Sequence, residues 1–387
     1  MPILNRAAEL HDEITGWRRA LHAKPELLFD VQETAAFVRE RLESFGCDEV
    51  VTGLGRTGVV GLIRGSRGSG PCIGLRADMD ALPMEEETGA PYRSTAPGRM
   101  HACGHDGHTA MLLGAAKYLA ETRNFAGRVA LIFQPAEEGG GGGRVMIEDG
   151  LMERFDITRV FGLHNLPGLP AGDFAICPGP IMAATAEFSI TVRGRGGHAA
   201  LPHTTVDPVV TACQIVGALQ TIAARSADPL ESIVVSVTQI HGGDTHNVIP
   251  DKVELSGTVR TLKPEMNRLA EERMRSICDG VAAANGARVS VAYESNYPVT
   301  FNNAEEAAFA ADIAREVAGE AHVDTNAAPL MGGEDFSYML EARPGAFIFL
   351  GNGDGAFLHN PRYDFNDAII PHGVSYWVRL AETALAP

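Results

Sequence analysis

Arg128-Val-Ala-Leu-Ile-Phe-Gln134, followed at once by Pro135-Ala-Glu-Glu138, is the stretch from which the fold is read. A short unbroken apolar run ending in a turn signal suits a strand covered on both faces, as in a parallel sheet. Two adjacent acids then stand at the carboxyl end of that strand, where α/β sheets build their sites. Adjacent side chains of an extended stretch point oppositely, so a turn is needed to bring one acid to a metal and the other to a substrate. Paired acids are more commonly a solvated charge pair; their place at a strand end is what singles these out.

Outward from this strand the pattern alternates. Leu10, Ile14, Trp17 and Leu21 recur at helical spacing and predict a helix over 5–23 that Pro25 ends. Val31, Ala35, Val38, Leu42 and Phe45 predict a second, stopped by Gly46. Apolar runs at 58–63 and 72–77 read as buried strands, with a helix over 109–122 before the 128–134 strand. Beyond it come five glycines, Gly139 to Gly143, a short helix near 145–150 and a strand over 159–163. Strands alternating with helices predict an α/β layer with a largely parallel sheet.

The middle third reads differently. Strands at 186–192, 233–240, 253–260 and 288–293, with helices at 207–224 and 266–284, give the order βαββαβ, a ferredoxin-like arrangement. Helix 304–318, a Gly-rich turn at 331–335 and an apolar run at 346–350 then return to the first layer. The expected organisation is an α/β domain in two parts, 1–184 and 296–387, with an inserted domain at 185–295.

At 387 residues, two domains are the better prior. A net charge of −17 argues against nucleic acid and anionic membrane surfaces as partners. No run reaches bilayer length, and the first ten residues carry Glu9 without an apolar signal core. Cytoplasmic residence is the expectation. The six cysteines are scattered without a pairing pattern, which suits a reducing compartment.

The densest chemistry lies in His101-Ala-Cys-Gly-His-Asp-Gly-His108. Cys103 and His105, one residue apart in a loop before a helix, can aim at one point. His101 and His108 are weaker candidates. Glu137 and Glu138 divide between ligand and general base. His164 at a strand end and His359 in a late loop complete five ligands with Cys103, His105 and Glu138, enough for two divalent ions. The donor set suits zinc, and manganese, cobalt or nickel could occupy it. Asp78 and Asp80 could orient a ligand, or simply cap a turn. In the inserted domain, His198, Asn247 and Arg260 could polarise a carbonyl and clamp a carboxylate. Each alone is as readily a turn or solvated group.

Six stretches carry a resemblance along nearly the whole chain: Arg76–Pro83, Met100–His108, Gln134–Glu138, Gly194–His203, Asn247–Pro250 and Met331–Phe336. Together they resemble the M20 metallopeptidase-type amidohydrolases, in the branch of hippurate hydrolase, N-acyl-amino-acid amidohydrolases and auxin-conjugate hydrolases. The resemblance implies a metallo-exopeptidase-like α/β catalytic domain with an inserted ferredoxin-like lid, through which a homodimer or homotetramer forms. It implies Cys103, His105, Glu138, His164 and His359 as ligands of two zinc or manganese ions, with Cys103 bridging where the wider family has Asp. It makes Glu137 the general base on a metal-bridging water and His198 the oxyanion donor, in many relatives from the partner subunit. It assigns Asn247, Arg260 and the backbone of Gly332 and Gly333 to the substrate carboxylate. The implied substrates are small N-acyl-amino acids. A dipeptidase or carboxypeptidase, or a non-catalytic metal-stabilised binding protein, are the alternatives.

Overall fold

A computed structural model describes residues 3–387, which form two compact units. The first comprises residues up to Ile181 together with Phe301–Ala328 and Asp335–Pro387; the second comprises Met182–Thr300 and Pro329–Glu334.

The first unit is built on an eight-stranded mixed sheet. Its spatial order is Glu49–Leu54, Gly58–Arg64, Arg128–Gln134, Cys72–Asp78, Ile157–Pro167, Gly345–Gly353, Phe174–Ala175 and Val323–Asp324. The centre is parallel: Cys72–Asp78 pairs in parallel with Arg128–Gln134 and with Ile157–Pro167, which pairs in parallel with Gly345–Gly353. Antiparallel pairs border it, so the sheet is less uniformly parallel than expected. The central strands are buried almost throughout, including Val129 to Phe133 and Ala346 to Leu350. That explains why they read as continuous apolar runs rather than alternating ones.

Helices cover this sheet, and their ends are set by identifiable residues. Helix Gln32–Phe45 stops at Gly46, which adopts φ +78°, the left-handed cap glycine favours. The predicted helix over 5–23 is two helices, Asn5–Glu9 and His11–His22, interrupted at Leu10. The helix expected over 109–122 begins earlier, as His105–Thr122. Only Cys103 of the two loop candidates therefore sits in the loop; His105 is the first helical residue. Gly104 before it has φ +95°, and a Cβ there would lie 2.1 Å from Asn165 Nδ2. Only glycine can make this entry into the helix.

The second unit holds a four-stranded antiparallel sheet in the order Ile233–His241, Lys252–Thr261, Ala184–Arg193 and Arg288–Ser295. With helices Pro208–Leu219 and Pro264–Asn285, the chain order is βαββαβ, as read from the sequence. Phe188, Ile190 and Val192 alternate inward from one strand, while Glu187, Ser189 and Arg193 lie exposed or partly exposed between them. They pack with Ile215 and Leu219 of one helix and Ala270, Met274 and Cys278 of the other. The Pro329–Glu334 segment, late in the chain, joins this unit: Ala183 N–H donates to Gly332 O at 2.9 Å.

Replacing Gly104 by Ala should lower the stability of chelator-treated protein by about 2 kcal/mol or more, from a left-handed backbone and a steric clash together. A urea midpoint equal to the parent's would show that the loop accommodates a side chain.

Candidate metal centre

The carboxyl ends of three neighbouring strands converge on the Cys103 loop. Cys72–Asp78 delivers Asp78 and, two residues on, Asp80. Arg128–Gln134 delivers Glu137 and Glu138, and Ile157–Pro167 delivers His164. The turn between Gln134 and Glu137 passes through Ala136 at φ +55°. Both acids then come to one side: ligand atoms of His105, Glu137 and Glu138 lie within 4.8 Å of one another. Cys103, Glu138 and His359 form a second such group.

Two imidazoles are held in the same way. His105 Nδ1 lies 2.8 Å from the Asp80 carbonyl and His164 Nδ1 lies 2.7 Å from the Asn165 carbonyl. A carbonyl only accepts, so each Nδ1 carries the proton and each Nε2 is left as the free side. His164 Nε2 faces Cys103 Sγ at 3.3 Å. His105 Nε2 makes no hydrogen bond, nor does Glu138 Oε1, 3.9 Å away; both atoms are buried. His359 Nε2 approaches the same Glu138 oxygen at 3.4 Å, from a backbone with φ +61°. Buried unsatisfied polar atoms are rare and call for a reason. Imidazoles pinned through Nδ1, with Nε2 open in His105 and meeting only the Cys103 thiol in His164, have the arrangement of metal-binding histidines.

Electrostatics give the same answer. Burial opposes charge on His105, yet Asp78, Asp80 and Glu138 outweigh it and push the imidazole up to about 10. The acids hold a proton where a cation would serve. Burial, then Glu138 and Glu137, push the Cys103 thiol well up, so only a cation would make it a thiolate. Burial, aided by His108, keeps His164 well below its usual value and therefore neutral. Softness and geometry of the donors thus fit divalent ions.

A shell of hydrogen bonds fixes the cluster. The Asp80 carboxylate accepts from Glu137 N–H at 2.9 Å and Glu138 N–H at 3.2 Å. Asp78 accepts from His108 Nδ1 at 2.6 Å and Arg76 Nη1 at 2.7 Å. His108 Nε2 accepts the Asn165 N–H at 3.0 Å, so both of its nitrogens are committed and it has none for a metal. His101 is fully buried and held near 4 by that burial; its ring nitrogens have no hydrogen-bond partner. Asp106 accepts from His22 Nδ1 at 2.8 Å beside Arg18 at 3.5 Å.

Several supporting residues escaped the sequence reading. Asn165 links His108, the Cys103 carbonyl at 2.7 Å and the Tyr363 hydroxyl at 2.6 Å. Arg76 joins Asp78, Gln134 and Asp335, and Asp335 also accepts from Gln134 and from Gly143 N–H at 2.8 Å. Arg76, Gln134 and Asp335 lie inside the quoted motifs, and for Arg76 and Gln134 a polar side chain within an apolar strand was the available signal.

The remaining candidates lie in the second unit. His198 is exposed on a two-stranded ribbon, paired with Val248, and Ala199 N–H donates to Asn247 O at 3.0 Å. Ala200 N–H donates to His198 Nδ1 at 3.1 Å, which leaves His198 Nε2–H as an outward donor. Arg260 is half-buried on the Lys252–Thr261 strand. Gly333 abuts Thr185, where a Cβ would meet Cγ2 at 2.3 Å.

The profile of peptidase family M20/M25/M40 matches residues 74–383. The chain belongs to that family. It is 44% identical to a hippurate hydrolase of Campylobacter jejuni, over 98% of this chain and 99% of the relative. It is 42% identical to an N-acetyl-L-cysteine deacetylase of Bacillus subtilis, over 93% of this chain and 85% of the relative. Among solved structures, a dinuclear metal-binding M20 peptidase of Bacillus subtilis superposes with TM-score 0.86 at 34% identity, covering 98% and 99% of the two chains. Family membership makes the protein a hydrolase of amide bonds.

Zinc binding to the metal-free protein should release protons and tighten with pH. His105, raised to about 10, and the raised Cys103 thiol both carry protons at pH 6 and pH 8, so a cation must displace them. Affinity should rise by roughly tenfold per pH unit for each proton displaced. Calorimetric titration at the two pH values checks this; equal affinities would exclude these two residues as ligands.

Asp80→Ala should weaken metal binding by roughly 10- to 100-fold, because Glu137 and Glu138 lose their backbone anchor. Unchanged affinity would make that anchor dispensable.

Proposed function

We propose that this protein hydrolyses N-acyl-amino acids, including hippurate-like and N-acetyl substrates, to a carboxylate and a free amino acid. Cys103, His105, Glu138, His164 and His359 would hold two divalent ions, zinc or manganese. When bound, such ions polarise a scissile carbonyl and lower the pKa of water. Glu137 takes the proton from the attacking water as its oxygen adds to the acyl carbon. It returns that proton to the amine nitrogen as the C–N bond breaks. His198 donates Nε2–H to the developing oxyanion, supplied by a second copy of the chain in a dimer built through the 182–300 unit. Asn247, Arg260 and the backbone of Gly332 and Gly333 hold the substrate carboxylate. Asp78 and Asp80 orient the ligands. The chain works in the cytoplasm; no helix among the described residues is long and apolar enough to cross a membrane.

The observation that carries this reading is the pair of pinned imidazoles facing Cys103 and Glu138, with Glu137 one residue from a ligand yet anchored by the same Asp80 carboxylate. A metal-stabilised binding protein would have no use for that additional buried acid.

Glu137→Gln should retain metal and fold while losing roughly 10²- to 10⁴-fold in kcat on benzoyl-glycine. Metal analysis and steady-state kinetics decide it. A variant nearly as fast as the parent would sink the base assignment. Faster turnover of dipeptides than of N-acyl-amino acids by the parent would favour a peptidase, and no turnover of either would favour a binding protein.

A further inference from the structure

Leu28 is doubly unfavourable where it stands. Its backbone is left-handed, φ +50°, a conformation costly for a side chain with a Cβ, and its apolar side chain is exposed, at 41%. Neither feature helps the fold. The conformation is nevertheless held from several sides. Leu27 bridges to Ala81, Ala81 N–H donates to Glu26 O at 2.8 Å and Asp30 N–H returns to Leu27 O at 2.9 Å. Thr57 Oγ1 donates to Phe29 O at 2.9 Å, and the Arg56 guanidinium lies 4.1 Å from the Phe29 ring centroid.

What this loop is fastened to gives it meaning. The Leu28 carbonyl accepts from Ala136 N–H at 3.1 Å, and Ala136 is itself left-handed and directly precedes Glu137. Six non-glycine residues have positive φ among those described; Leu28, Ala136 and His359 are three of them. Strain over-determined by its surroundings and gathered at a reaction centre points to a role in function. The exposed large hydrophobics of the first unit tell a similar story. Among the described residues they are Leu28, Phe301 and Phe357, and Leu28 borders the turn to Glu137 while Phe357 lies two residues before His359.

We infer that Leu28 is a specificity-determining residue that contacts the acyl group of the substrate. The inference rests on the proposed N-acyl-amino acid hydrolysis and adds which end of the substrate this loop meets. An N-acyl-amino acid has one charged end and one apolar end. The proposed carboxylate grip, Asn247 and Arg260, is polar, so an exposed apolar side chain on a loop hydrogen-bonded to the residue before the base suits the uncharged end.

The test compares kcat/KM on benzoyl-glycine and acetyl-glycine for the parent, Leu28→Ala, Leu28→Asn and Phe301→Ala. Loss of a side-chain contact of this size changes discrimination by about tenfold or more. Leu28→Ala should therefore lose about tenfold on benzoyl-glycine and stay within about twofold on acetyl-glycine. Asn tolerates the left-handed backbone, so Leu28→Asn should show the same selectivity loss with a Tm at or above the parent's. Phe301→Ala, another exposed apolar residue, should leave the ratio unchanged. Equal losses on both substrates, an unchanged ratio in both Leu28 variants, or the same shift in Phe301→Ala would overturn the inference. A parent that hydrolyses neither substrate brings down the proposed function, and this inference with it; that outcome is distinct because it appears before any variant is made.

Discussion

Asp78, Asp80 and Glu137 are buried at the ends of two adjacent strands, with Glu138 beside them, and buried carboxylates must be compensated. Much of the local structure answers that demand. Arg76, itself fully buried, pairs with Asp78 and Asp335. Burial raises Asp335 to about 6, with Arg76 and Gln134 working the other way. His105 takes a proton it would ordinarily give up near neutrality. Divalent ions would relieve the same field more completely and free His105 and Cys103 to act as ligands. The fold supplies the acids, and a cation would compensate them.

The rest of the first unit keeps these groups within reach. Parallel pairing of Cys72–Asp78 with both of its neighbours brings three carboxyl ends to one edge of the sheet. Gly104 lets the chain enter its helix beside Asn165, and Asn165 ties the Cys103 loop to His108 and Tyr363. His108 then spends both nitrogens on Asp78 and Asn165 and serves as a strut. The left-handed turn at Ala136 brings two consecutive acids to one side and fastens to the Leu28 loop.

Much of this was legible in the residues. Buried parallel strands betray themselves by unbroken apolar runs, and the second unit by strict alternation, as at Phe188, Ile190 and Val192. Cys103 and His105 were visible because Cys and His cluster in a short motif, and Glu138 and His164 because they stand near strand ends. Other features were hidden for physical reasons. The edge strand Glu49–Leu54 is short and half exposed, so it has no clean period. The helix start at His105 lacks a Ser, Thr, Asp or Asn cap, and its glycine entry depends on Asn165, distant in sequence. The commitment of His108, and the difference between it and His105, depends on which carbonyls and N–H groups tertiary packing presents. The strain at Leu28 has no composition signal at all.

Anomalous diffraction from crystals of the zinc- or manganese-loaded protein tests the central claim most directly. The account predicts two metal peaks bounded by Cys103, His105, Glu138, His164 and His359, with His108 still hydrogen-bonded to Asp78 and Asn165. Asp78, His105, His108 and His164 also come within ligand range of one another. A single peak held by those four, with His108 turned to the metal and Glu138 and His359 left out, would contradict it.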